Sequence, residues 1–304
     1  MSLQLRKNTQ TYHVRHETRF HYSVPATSSI HLLKLKPQTL SSQECVDFEM
    51  VVLPKGGSVR EYRDYFGNHC HFLELGEIHS EFSVTSHSSV SVRLPYCPGL
   101  SETPAWNMVR RQILCGALTG NGQPEEFVLP SSMVKVVPAI KEFSLKFFRP
   151  GRSILDAAMA LNSYIFEHFE FDPTATELST PVEQVLCIKR GVCQDFAHLA
   201  IACFRSLDLP ARYISGYIET QAPPGHRKLM GVDASHAWFA FFCPGIGWIE
   251  LDPTNGCIPS MRHIKIGYGR DYADVSPVSG ILTGGGARTM EVLVDVEAVP
   301  QSNE

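Results

Sequence analysis

Polar and apolar positions along the chain follow two different periods. Tyr12, Val14, His16, Thr18 and Phe20 alternate with Arg15, Glu17 and Arg19, the two-residue repeat of a strand with one buried face. Further strand candidates lie at 29–36 and 46–53, ended by Pro37 and by the Pro-Lys-Gly-Gly run at 54–57. A turn at 65–69 leads into a further strand candidate at 71–75, and 81–94 alternates again with many Ser and Val. Short strands at regular spacing predict a β-sandwich or related sheet packing for the first hundred residues. Beyond residue 150 the period lengthens. Ser153 with Asp156 three residues on starts a helix through Leu155, Ala158, Leu161 and Ile165. Thr180 as N-cap, Pro181 at the first helical position and Glu183 predict a second. Phe196, Leu199, Ala200, Cys203, Phe204 and Leu207 recur at three- and four-residue intervals, which makes 193–207 an amphipathic helix. A strand at 211–219, a Pro/Gly loop at 220–231 and two aromatic-rich strands about a Pro-Gly connection at 243–247 follow. Residues 288–299 alternate as a closing strand.

This order divides the chain into an N-terminal antiparallel β-domain (1–100), a connection rich in Pro and Gly with short helices (101–150), and a core with helices packed on an antiparallel sheet (151–304). The class is α+β.

Three residues of the core carry candidate chemistry. Cys193 falls at the first turn of its helix, where free N–H groups and the positive end of the dipole favour a thiolate. Gly191 leaves the chain free to turn into that helix. The alternative is a buried structural cysteine. Downstream, a hairpin symmetric about Pro244 would make His236 and Asp252 cross-strand partners on one face. A carboxylate that fixes an imidazole, which in turn exchanges a proton with a thiol, is the logic of covalent catalysis. Asp195 lies inside the helix and is expected to make a structural hydrogen bond. His198, about 140° around the helix from Cys193, is badly placed as its base.

The run Gly191-Val192-Cys193-Gln194-Asp195-Phe196-Ala197-His198, with 209–217, Ser235-His236-Ala237-Trp238, Gly247-Trp248 and Leu251-Asp252-Pro253-Thr254, resembles the core of the transglutaminase-like superfamily in its bacterial form. Residues 11–22 resemble the start of the N-terminal β-domain of bacterial members, and 269–277 resemble their C-terminal segment. The resemblance implies a papain-like core, a thioester intermediate and Cys193, His236 and Asp252 as catalytic residues. It departs at Ala240, where many relatives carry an acid; this chain has Glu250 on the facing strand instead.

The expected activity is acyl transfer on an amide or peptide bond, with a peptide or protein substrate and no metal or organic cofactor. Hydrolysis, as in a cysteine protease or amidase, is preferred to transfer onto a lysine amine. The rival of another class is a silent peptide-binding pseudoenzyme. A net charge of -4 and the lack of a long Lys/Arg run argue against a nucleic-acid partner. No stretch reaches the ~18 consecutive apolar residues of a membrane helix. Residues 1–8 have no apolar signal core, and nine irregularly spaced cysteines fit a reducing compartment, so a cytoplasmic location is expected. His13, His16, His21, His69 and His71 lack a second ligand set with metal spacing and read as polar side chains on a solvated sheet face. Trp238 and Trp248 read as core, and 221–230 as either a groove rim or an ordinary connection.

Overall fold

The computed structural model describes residues 9–95, 97–99, 103–116, 124–220 and 235–300. Its N-terminal part is built on β1 (Thr9–Leu33), followed by β2 (Gln43–Leu53), β3 (Ser58–Arg63), β4 (His69–Leu75) and β5 (His79–Arg93). The expected strands at 12–20 and 29–36 are thus one 25-residue strand. Its first half pairs β5 and its second half pairs β4, so both halves of a sandwich-like fold share one backbone. Phe20, Tyr22, Leu33, Leu73, Phe82 and Val84 fill the space between them.

Helices α1 (Trp106–Leu114), α2 (Pro138–Ser144) and α3 (Ile154–His168) come next. The Ser153 hydroxyl accepts from the Asp156 N–H at 3.2 Å and caps α3 as its sequence predicts. Strand β6 (Glu170–Phe171), α4 (Val182–Ile188), β7 (Arg190–Gly191) and α5 (Cys193–Arg205) follow. Here the capping expectation fails by one residue. Pro181 is the N-cap of α4, and the Thr180 hydroxyl accepts from the Glu177 N–H within the preceding turn.

Strands β8 (Ala211–Ile218), β9 (Ser235–Cys243), β10 (Gly247–Leu251) and β11 (His263–Gly269) form a curled antiparallel sheet in the order β10-β9-β8-β11. α5 packs on β9 through a core that includes Phe204, Phe239, Phe241 and Leu251. The chain then returns through β12 (Val278–Gly284) and β13 (Arg288–Ala298), both of which pair β1. These strands, grouped with the core on sequence grounds, belong to the N-terminal sheet. Alternation shows that a strand has two faces, but it carries no mark of which edge the strand joins.

Two histidines correct the expected solvated face. His71 is 5% exposed and stacks on Phe48, and His16 is 1% exposed between the N-terminal sheet and the core. His16 Nδ1 is hydrogen-bonded to the Tyr217 hydroxyl at 2.8 Å and Nε2 to the Thr18 hydroxyl at 2.9 Å. Burial pushes His16 down to about 4; His31, buried against Phe82, is also pushed down to about 4, with the charge of His79 adding to burial. Both rings fold neutral, whereas an unfolded histidine titrates near ~6.5. The unfolded chain therefore binds more protons between these values, and stability falls as pH falls through that window. The unfolding free energy from urea titrations is expected to drop between pH 6.5 and 4.5 by up to about 1.4 kcal/mol per pH unit for each proton taken up. His16→Gln should flatten the dependence, and an unchanged slope in that variant would remove His16 from it.

Candidate active site

Cys193 is the first residue of α5, half-buried, with Val192 as N-cap. Asp195 makes the structural bond expected of it. Its carboxylate accepts from the Val192 N–H at 2.9 Å and from the Thr176 hydroxyl at 2.7 Å. The role of Gly191 is space: a Cβ there would lie 2.6 Å from Asp195 Oδ2. The helix start is therefore tied down by its third residue, and the Cys193 N–H, like the first amides of any helix, has no intrahelical partner.

His236 stands on β9 and Asp252 just beyond β10. The hairpin register pairs Cys243 with Gly247 and Phe239 with Leu251, so the connection is three residues long and centred on Gly245. His236 and Asp252 are consequently offset by two residues from the direct pairing expected about Pro244. An even offset keeps both on the same face. His236 Nε2 donates to Asp252 Oδ2 at 2.7 Å, and His236 is within hydrogen-bonding reach of Cys193. With Nε2 committed to the carboxylate, Nδ1 is the nitrogen left for the sulfur.

Asp252 is fully buried and saturated with donors. Oδ1 accepts from the N–H groups of Thr254 at 2.9 Å and Asn255 at 3.2 Å. Oδ2 accepts from His236, from Asn255 Nδ2 at 2.6 Å and from His263 Nε2 at 3.1 Å. Burial alone would raise its pKa, but the bonds from His236, His263 and Asn255 bring it below the ordinary carboxylate range. For His236, burial opposes the charged ring most strongly. Its hydrogen bonds with Asp252 and Cys193 outweigh burial and raise it to about 10. The imidazolium is thus the favoured form at neutral pH.

His198, as expected, faces elsewhere: its Nε2 accepts from the Tyr272 N–H at 3.1 Å, and burial lowers it to about 4. Trp238 is fully buried and donates to Glu250 at 3.0 Å; Lys265 donates to the other Glu250 oxygen at 2.7 Å. Ala240 sits in register between Arg212 and Glu250, and its small side chain leaves the row to them. The Arg212 guanidinium lies 4.3 Å from the Trp248 ring centre and 3.9 Å from that of Tyr268. Both tryptophans are accordingly part of the sheet's interior packing. The 221–230 segment lies outside the described residues.

His263 had no signal in the linear sequence. It lies on β11, two strands away from β9, and only the curl of the sheet brings it to Asp252. Among the described residues, His236, Asp252 and His263 are the one group whose ligand atoms lie within 4.8 Å of one another. The Ser260 N–H donates to His263 Nδ1 at 3.1 Å, so the ring proton sits on Nε2 and points at Asp252. A nitrogen that carries a proton offers no lone pair to a metal. The group is a hydrogen-bonded cluster.

Residues 12–91 match the bacterial transglutaminase-like N-terminal region, and residues 141–253 match the transglutaminase-like superfamily. An uncharacterized protein of Mycobacterium tuberculosis is 37% identical over 297 residues, covering 95% of this chain and 93% of its own length. One from Mycobacterium leprae is 30% identical over 286 residues, covering 93% and 97%. A protein-glutamine gamma-glutamyltransferase of Pseudomonas aeruginosa is 30% identical over 108 residues, 33% of this chain and 16% of that protein. In three dimensions, a candidate cysteine protease from Cytophaga hutchinsonii superposes with a TM-score of 0.74 at 20% identity, over 98% of this chain and 93% of that one. At that identity the likeness speaks for the fold. Among the described residues no helix is long and apolar enough to cross a membrane.

Proposed function

From the premise that this chain belongs to the transglutaminase-like superfamily, we propose that it is a thiol-dependent acyl-transfer enzyme that cleaves amide or peptide bonds. The observation that carries this reading is the 2.7 Å bond from His236 Nε2 to Asp252, which leaves Nδ1 for Cys193 at the head of α5. The Cys193 sulfur, as thiolate, attacks the carbonyl carbon. The C–N bond breaks as His236 gives its Nδ1 proton to the leaving amine, and a thioester remains. Water, deprotonated by the now neutral His236, then attacks the thioester; the C–S bond breaks, releasing the acid and restoring the thiolate beside the protonated His236. The Cys193 N–H is one donor to the oxyanion, worth about 3–4 kcal/mol when preorganised.

The test is turnover of a peptide library by wild type and Cys193→Ala, with and without a primary amine. Hydrolysis by wild type alone is the expected result. Incorporation of the amine would replace hydrolysis by transfer, and equal turnover in Cys193→Ala would remove the thiol from the mechanism. No turnover, with no selective alkylation of Cys193 at neutral pH, would make the protein a peptide-binding module.

A further inference from the structure

Resting on the thiol-enzyme reading, we propose that His263 is a positioning residue, and that the N-terminal β-domain acts on the site through it by fixing the strand that carries it.

Three of the five hydrogen bonds to Asp252 come from Thr254 and Asn255, inside its own turn. Such bonds move with the turn and cannot place it relative to the sheet. Of the other two, one comes from His236, the group to be oriented. His263 supplies the remaining one from β11, and so references the Asp252 turn to a different strand. Its ring is itself held on both sides. The Ser260 N–H occupies Nδ1, and the Trp238 indole meets the ring edge-on with centres 5.3 Å apart.

β11 is an edge strand of the curled sheet, and the N-terminal domain covers that edge. The Gln43 amide donates to the Lys265 carbonyl at 2.8 Å and accepts the Lys265 N–H at 2.7 Å. The Asn68 amide does the same for Tyr268, at 2.8 and 3.0 Å. Each side chain thus stands in for a neighbouring strand's peptide group. At Gly267 a Cβ would lie 2.7 Å from Asn68 Oδ1, so the strand omits a side chain where the amide must approach. Two bidentate contacts on residues 265 and 268 leave little freedom at 263, and the position of that ring decides where Asp252 points.

The titratable groups that face Asp252 are His236 from β9, His263 from β11 and Cys257 from the turn after β10, with Cys193 of α5 beyond His236. Removing the His263 donor leaves the carboxylate less stabilised as an anion, so it takes up a proton at higher pH and releases His236 sooner.

Two substitutions separate the donor from the packing. His263→Asn keeps an acceptor for the Ser260 N–H but has no atom at the Nε2 position. His263→Gln keeps an N–H there. The expected result is that Asn lowers kcat about 10–100-fold with KM little changed, by analogy with the loss when the orienting partner of a metal-ligating histidine is removed. The acid limb of its pH profile should move upward, while Gln stays within about threefold of wild type. Independently of turnover, the downfield Nε2–H proton resonance of His236 should persist in wild type and Gln and be lost in Asn. Wild-type kcat, acid limb and resonance in the Asn variant would overturn the proposal, as would equal losses in Asn and Gln. A wild type that keeps the resonance, lost in Asn, but turns over no substrate would defeat the thiol-enzyme reading and leave the positioning role standing.

Discussion

His236→Ala is expected to lower turnover by roughly 100- to 10,000-fold, the contribution of a positioned proton carrier. Two separate losses make the effect large. On the proposed mechanism the imidazole that gives its proton to the leaving amine is gone, and so is the cation opposite the Cys193 sulfur. Both losses fall on the reacting atoms in the proposed mechanism, so kcat should fall with KM nearly constant. Asp252 keeps the other four of its five hydrogen bonds, and the fold should survive. The same variant gives a substrate-free readout. Alkylation of Cys193 by iodoacetamide at pH 6 should collapse, because no imidazolium remains to stabilise the sulfur anion. If alkylation at pH 6 is as fast in His236→Ala as in wild type, the proposed sulfur–imidazole pair does not exist.

Arg205→Met is expected to destabilise the protein by about 3–5 kcal/mol, the scale of removing a buried charge from its partners. Arg205 ends α5 at 2% exposure. Its guanidinium donates to the carbonyls of Phe127 at 2.9 Å, Ala211 at 2.8 Å and Arg270 at 2.6 Å, and to the Ser131 hydroxyl at 3.0 Å. Three segments, around 127–131, 211 and 270, thus meet on one cation at the end of α5, which also faces the negative end of the helix dipole. Burial lowers its pKa to about 10, partly offset by Asp271, so it stays charged at neutral pH. Methionine refills much of the volume but donates nothing, which leaves buried carbonyls without their partner at about 1–3 kcal/mol apiece before relaxation. Chemical denaturation at pH 7 measures the change, and a loss under 1 kcal/mol would mean that these carbonyls find other donors.

Elements decided by local physics are legible in the sequence. The 3.6-residue repeat located α5 within two residues, and Ser153 with Asp156 marked the start of α3. Chain order and residue type at Cys193, His236 and Asp252 were sufficient to nominate the site before any distance was known. Parity did the same for the hairpin: the register is two residues from the expected one, yet His236 and Asp252 still share a face because side chains alternate with period two. Histidines in the N-terminal strands were misread for the opposite reason. Alternation assigns His16 and Phe20 to one face, but whether that face meets water or another sheet depends on packing far away in sequence.

The sequence by itself determined the strongly periodic helices and strands, and which thiol, imidazole and carboxylate are candidates for chemistry, because periodicity and side-chain chemistry are local properties. Only the tertiary structure decided that β12 and β13 return to β1, that Gln43 and Asn68 cover the edge of β11, and that His263 joins Asp252. Those outcomes turn on which strand edges meet and how a sheet curls. Edge pairing joins backbone N–H and C=O groups that every residue other than proline carries alike, so the sequence bears no local mark of it.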